Sequence, residues 1–203
     1  MPAIFGEINA MKFSASTLAL FLALNGLAFA QAPAPAGGAI RLTKITRNLV
    51  ATPEFTYSGA ETFRTNSRDR WLAVDAEFSS TAEFTDEVTF KYYILIDGKL
   101  LTGEVTHVNI LAGKELHSVM YVPPHAIAHL MGNRTLNTNS LQNVAVQLLA
   151  EGVVKDELSL VRARPQWFSA LPAITGFVLN KNETPFAPLY WDHYEQIKPA
   201  GAR

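Results

Sequence analysis

The side chains with which this sequence could do chemistry are few: five histidines, His107, His117, His125, His129 and His193, and scattered carboxylates, with no cysteine. His125 and His129 stand four apart in a short stretch of helical pattern, a spacing that puts two imidazoles on one helix face and could hold a metal ion. No acid or third histidine lies near them in sequence, and a solvated helix end is the simpler account. His107 and His117 fall on neighbouring expected strands, as cross-strand partners on an exposed face. Asp75 and Glu77 share one face of a strand, as a carboxylate pair in acid–base chemistry would. Alternation alone also puts them there, as the wet side of an amphipathic strand. Glu83, Asp86 and Glu87 read as a polar loop, and Arg64, Arg68 and Arg70 as a solvated face that balances it.

None of the patterns HExxH, GxSxG, Walker A, GxGxxG or EF-hand occurs. The missing cysteines exclude disulfide scaffolds, Cys-ligated zinc, iron–sulfur clusters, thiol nucleophiles and a lipobox anchor. The expectation is therefore a protein that is not an enzyme, with no catalytic, cofactor-binding or metal site. Asn133-Arg134-Thr135 and Asn182-Glu183-Thr184 match the N-glycosylation sequon, a pattern short enough to recur by chance.

The elements that must position these residues are mostly strands. From Trp71 to Ser79, Leu72, Val74, Ala76 and Phe78 alternate with Ala73, Asp75 and Glu77, which predicts a strand with one buried face. Val88, Phe90, Tyr92, Ile94 and Ile96 continue the period-two pattern, and Asp97-Gly98 supplies the two positive-φ positions of a hairpin turn. The returning strand is expected from Lys99 to Ile110, with its buried face switching at a bulge near Thr106. Ala112-Gly113-Lys114 reads as a second short turn before a strand from Leu116 that Pro123-Pro124 stops. His125 to Met131 predicts a one- or two-turn helix, begun by Pro124 and closed by Gly132. Val144, Val146 and Leu148 mark another strand, turned by Glu151-Gly152 into Val153 to Leu160. Ile40 to Arg47, with a weaker strand around Phe55 to Phe63, brings the count to about seven.

No helical period long enough for a crossover helix occurs between Ala39 and Arg164, which excludes a parallel βαβ architecture. An all-β, immunoglobulin-like antiparallel sandwich is expected over 39–164, with a small barrel as the alternative fold. From Pro165 to Arg203 the pattern changes to Trp167, Phe168, Phe177, Phe186, Tyr190, Trp191 and Tyr194 set among prolines. That much aromatic surface favours burial, each ring offering ~150–250 Å², so this C-terminal extension is expected to pack on the sandwich and close an edge or an end. Part of it, Phe186, Tyr190, Trp191 and Tyr194, is the candidate partner contact, as is an open sheet edge.

At the other end, Lys12, the apolar run from Phe13 to Leu24 and Ala28-Phe29-Ala30 have the three parts of a secretory signal peptide, expected over 1–30 with the true start at Met11. Asn25 and Gly26 interrupt the run short of the ~20 residues that span a bilayer, against a membrane anchor, and Lys12 argues against a prepilin leader after Gly6. The stretch 31–38, QAPAPAGG, reads as a flexible tether. The 203 residues carry 17 Lys+Arg against 18 Asp+Glu, a formal charge of −1. Length fits one domain, or two small ones, at ~100–200 residues each, and the charge balance offers no footprint for nucleic acid.

The stretches GEVTHVNILAGKELHSVMYVPP, Gly103 to Pro124, and TPFAPLYWDHYEQIKP, Thr184 to Pro199, carry a resemblance that extends over Lys44 to Phe90. The chain resembles the pilus-associated immunoglobulin-like exported proteins of Verrucomicrobia, typified in an Akkermansia type IV pilus-like gene cluster. The resemblance implies one immunoglobulin-like sandwich in the periplasm or at the outer cell surface. It also implies a structural or assembly role, with envelope or pilus-assembly proteins as partners. It brings no catalytic or cofactor residues. The function expected is protein–protein contact in the cell envelope, without nucleic acid and without a transmembrane segment in the mature chain, and a homo-oligomer stays open. The alternative is a periplasmic module that binds glycans or another small ligand on exposed aromatic rings.

Overall fold

The computed structural model describes residues 39–55, 69–132, 136, 140–199 and 201, all within one compact unit, Gly37–Arg203. The expected leader and tether, 1–38, and nearly all of the weak strand expected around Phe55 to Phe63 lie outside the described residues, as do Arg64 and Arg68. The first strand, β1 (Ile40–Ala51), pairs with β2 (Arg70–Ile96), which turns at Asp97-Gly98 into β3 (Lys99–Val122). Helix α1 (Pro124–Met131) leads to β4 (Leu141–Ala150), and a turn at Glu151-Gly152 leads to β5 (Val153–Ser159). Two short strands come last, β6 (Ala173–Ile174) and β7 (Leu179–Asn180), each preceded or followed by a 3-10 turn. Asp97, Gly98, Glu151 and Gly152 all have positive φ, as the two hairpins require.

Among the described residues hydrogen bonding makes a single seven-stranded sheet, which folds back on itself into an all-β sandwich. The fold-back lies in the long β2–β3 hairpin. The first half of β2 pairs with β1 and with the end of β3, whereas the second half pairs with β4 and with the start of β3. Register shifts between Phe78 and Phe84 mark the bend. Across the resulting interior Phe78 meets Phe90 at 4.9 Å between ring centroids, and Leu72, Val74 and Ala76 are buried with Tyr92 and Ile94. Complete burial of such side chains contributes roughly 1.5–3 kcal/mol each. Ala126, Ile127, Leu130 and Met131 of α1 join the same core, and Gly132 ends the helix at φ 60°.

The structure departs from four of the sequence expectations. The polar run Glu83, Asp86 and Glu87 is strand rather than loop, and Ala112-Gly113-Lys114 is not a turn, so four expected strands are two continuous ones. Cross-strand pairing holds them straight through: Phe84 stands opposite Leu111, and the Thr89 and Thr106 hydroxyls bond at 2.9 Å. The switch of buried face comes at Asn109, whose φ is 58°, so His107 keeps the inward parity of Leu101 and Val105. Finally, the face carrying Trp71, Ala73 and Asp75 is covered rather than wet.

The C-terminal segment does the covering, on both outer faces. Phe168 stacks on Tyr93 at 3.6 Å between centroids over the β2–β4 side. On the β1–β2 side Phe186 packs with Trp71, Val119 and Tyr121. The same segment closes the outer edge of β3 along its length. β6 pairs with Leu100 and Leu101, Lys198 N donates to Thr106 O at 2.8 Å, and Val108 N donates to Gln196 O at 2.9 Å. Further along, Glu195 N donates to His117 O and β7 pairs with Met120 and Tyr121. At the opposite margin β1 and β5 lie side by side, with Leu42 N donating to the Asp156 carboxylate at 2.8 Å.

Candidate functional site

Residues 181–194 leave the β3 edge at β7 and return to it at Glu195, forming a lobe anchored at both ends on one strand. Its first turn is locally specified: the Asn180 side chain accepts from Asn182 N at 3.0 Å, and the Glu183 carboxylate accepts from Asn180 N at 2.9 Å, a capping box. Lys181 Nζ donates to Ala187 O at 2.7 Å from a buried position, holding the lobe's two limbs together.

Phe186 is the wedge. It is 5% exposed, stacked on Tyr121 at 4.5 Å and edge-on to Trp71 at 5.6 Å, and Trp71 Nε1 donates to Thr52 Oγ1. Beyond it the chain turns at Tyr190, φ 53°, whose carbonyl accepts from His193 N and Tyr194 N. That turn lifts Tyr190 and Trp191 into solvent, 61% and 80% exposed. The four aromatic side chains singled out from the sequence are thus divided: Phe186 is enclosed, Tyr194 half-buried, and Tyr190 and Trp191 open. Between lobe and β1 lies a groove of about 410 Å³ lined by Asn48, Val50, Asp75, Tyr121, Tyr190 and Tyr194 among others.

The groove's polar groups form a chain. His117 Nδ1 lies 3.0 Å from Asp75 Oδ1, and the Asp75 charge acts on the hydroxyls of Tyr121 and Tyr194, which bond each other. Burial pushes the Tyr121 hydroxyl up to about 12, and burial together with the Asp75 charge raises Tyr194, so both phenols stay neutral hydrogen-bonding groups. Burial also raises the Glu195 carboxyl, which His117 opposes. His193 stacks on His117 at 4.1 Å.

Of the residues considered for chemistry, the structure brings together Asp75 and His117, with His193 added from the lobe. It does not join Glu77, whose carboxylate accepts from Thr43 Oγ1 at 2.8 Å. Nor does it join His125 and His129, which stand on α1 with no third ligand among the described residues. His107 is not the exposed partner of His117 but lies in the core, 1% exposed. The two share β3 on opposite sides of the bend. Sequence reasoning missed this burial, although His107 continues the parity of Leu101 and Val105.

A protein-family model matches residues 31–200. The chain belongs to that family. A crystal structure of a protein from Akkermansia muciniphila is similar to it at a TM-score of 0.67, with 19% identity over 80% of this chain and 94% of that one. At that identity the likeness speaks for the fold, the bent-hairpin sandwich described above. No curated protein matches the sequence. The family match spans the sandwich and the lobe together, so the aromatic C-terminal segment is part of what the family shares in length. Among the described residues no helix is long and apolar enough to cross a membrane.

Proposed function

We propose that this family member is a non-enzymatic, exported cell-envelope protein that works by protein–protein contact, as an accessory or structural component of a type IV pilus-like or secretion system. The observation that carries the contact is Trp191. It is a large ring, 80% exposed, at the tip of a lobe pinned by strand pairing at both ends and by Phe186 beneath. Aromatic side chains on a rigid support lose little freedom on binding and anchor interfaces out of proportion to their number. The resemblance of Gly103–Pro124 and Thr184–Pro199 to pilus-associated proteins supports the setting, and the signal-peptide pattern of 1–30 supports export.

The experiment is a crosslinked pull-down of tagged protein from its native envelope, comparing wild type with Trp191→Ala. Because the side chain touches little, the variant is expected to keep its melting temperature while partner affinity falls about thirtyfold, the loss of an anchor of about 2 kcal/mol. Equal recovery of the same partners by both forms overturns the assignment of the tip. The open rings of Tyr190 and Trp191 equally suit stacking on a sugar, which favours the glycan-binding reading as the alternative. Oligosaccharide titration followed by tryptophan fluorescence tests it, a saturable shift lost in Trp191→Ala being its signature.

A further inference from the structure

The outer face of β2 and β3 carries a set of metal-ligating side chains that the contact reading does not use. Asp75 comes from β2, His117 from β3 and His193 from the lobe, and one ligand atom of each lies within 4.8 Å of the others. A tetrahedral ion with bonds of ~2.0–2.2 Å needs its ligand atoms about 3.4 Å apart. Asp75 Oδ1 and His117 Nδ1 already stand 3.0 Å apart. His193 is exposed and stacked over His117, so its ring is free to leave the stack and turn a nitrogen toward the point that the other two ligands share.

The surroundings suit an ion. Tyr194, half-buried with its ring centroid 6.4 Å from that of His117, walls one side of the cluster. Glu195 N donates to His117 O at 3.1 Å, which fixes the lobe's return to the sheet beside the cluster. Two imidazoles and one carboxylate select borderline transition ions over calcium or magnesium, which ask for oxygen ligands throughout.

We propose that Asp75, His117 and His193 together hold one divalent transition-metal ion of the zinc class, which ties the lobe to the sheet beneath it. Three protein ligands leave one position for water, and the ion replaces a ring stack and a single hydrogen bond with bonds to three separate segments. The site stands whether or not Trp191 is a partner contact.

The test uses the untagged full chain freed of metal with a chelator, then titrated with zinc in competition with a chromophoric chelator. One zinc per chain is expected. Affinity should fall about tenfold or more in His193→Ala and in Asp75→Asn. His193→Ala removes an exposed side chain and keeps the fold, and circular dichroism checks this. Saturating zinc should raise the melting temperature of wild type and not of His193→Ala, with no rise from calcium or magnesium. A double variant at His125 and His129 should bind as wild type does. Absence of zinc binding by wild type overturns the proposal. So does unchanged binding in both site variants, the result expected if His125 and His129 alone captured the ion.

Discussion

At His107 the hydrogen bonds determine where the proton sits. Nδ1 lies 2.9 Å from the Glu195 carbonyl, which can only accept, so Nδ1 carries the hydrogen. Nε2 is then the acceptor, taking the Ser118 hydroxyl proton at 2.8 Å, while Ser118 Oγ accepts from Tyr92 at 2.8 Å. The chain is complete with a neutral ring, and burial holds the imidazole down at about 4, with the Glu195 carbonyl opposing. An unfolded histidine titrates at ~6.5, so between there and about 4 the unfolded chain takes up a proton that the native one refuses. Stability is whole above pH ~6.5 and falls as the pH drops toward 4, by about 3 kcal/mol for this group. Urea unfolding at a series of pH values should show this slope. His107→Gln should be less stable at neutral pH but flatter below it, and an unchanged slope would rule out His107 as the source. The position was legible in principle, because 101, 105 and 107 share parity. Histidine's usual preference for partly wet sites hid it, and only the network explains how the core tolerates the ring.

Among the elements, the close approach of β3 to the C-terminal segment is the most exacting. A Cβ added at Gly103 would sit 2.7 Å from Val178 Cβ and 2.9 Å from Met120 Cε. Gly103→Ala is therefore expected to cost about 1–3 kcal/mol by overpacking, read as a lowered urea midpoint. Amide exchange should quicken at β6 and β7, on either side of Val178, before it quickens in β4. Local signals found much of this architecture. Asp97-Gly98, Glu151-Gly152 and the pair Pro124 and Gly132 each specify a turn or a helix end through backbone sterics within a few residues. The bend of the hairpin was not legible, because Glu83–Glu87 and Gly113 have the composition of loops. They stay in the ladder through partners some 25 residues away, such as Leu111 opposite Phe84. The Asp75–His117–His193 cluster was invisible for the same reason: three segments distant in sequence meet only once the lobe has docked.

Over the whole molecule, the segment after Pro165 fills the outer edge of β3 and roofs two secondary cores, one around Phe168 and one around Phe186. A chain ended at Arg164 should expose the β3 edge together with Trp71, Tyr93 and Tyr121. It is expected to self-associate through edge pairing, seen as oligomers or aggregates in size-exclusion chromatography where the untruncated chain runs as a discrete species. A monomeric, cooperatively folding truncation would show that the segment is an ornament rather than a structural part. The arrangement also bears on the order of events during synthesis. Thr106 and Val108 find their outer partners only in Gln196 and Lys198, about 90 residues further along the chain. However early the hairpin forms, a growing chain therefore carries an unfinished strand until those two residues have been made. For that interval it depends on dilution or on a chaperone, a dependence that circular permutation, by starting the chain elsewhere in the same topology, would relieve.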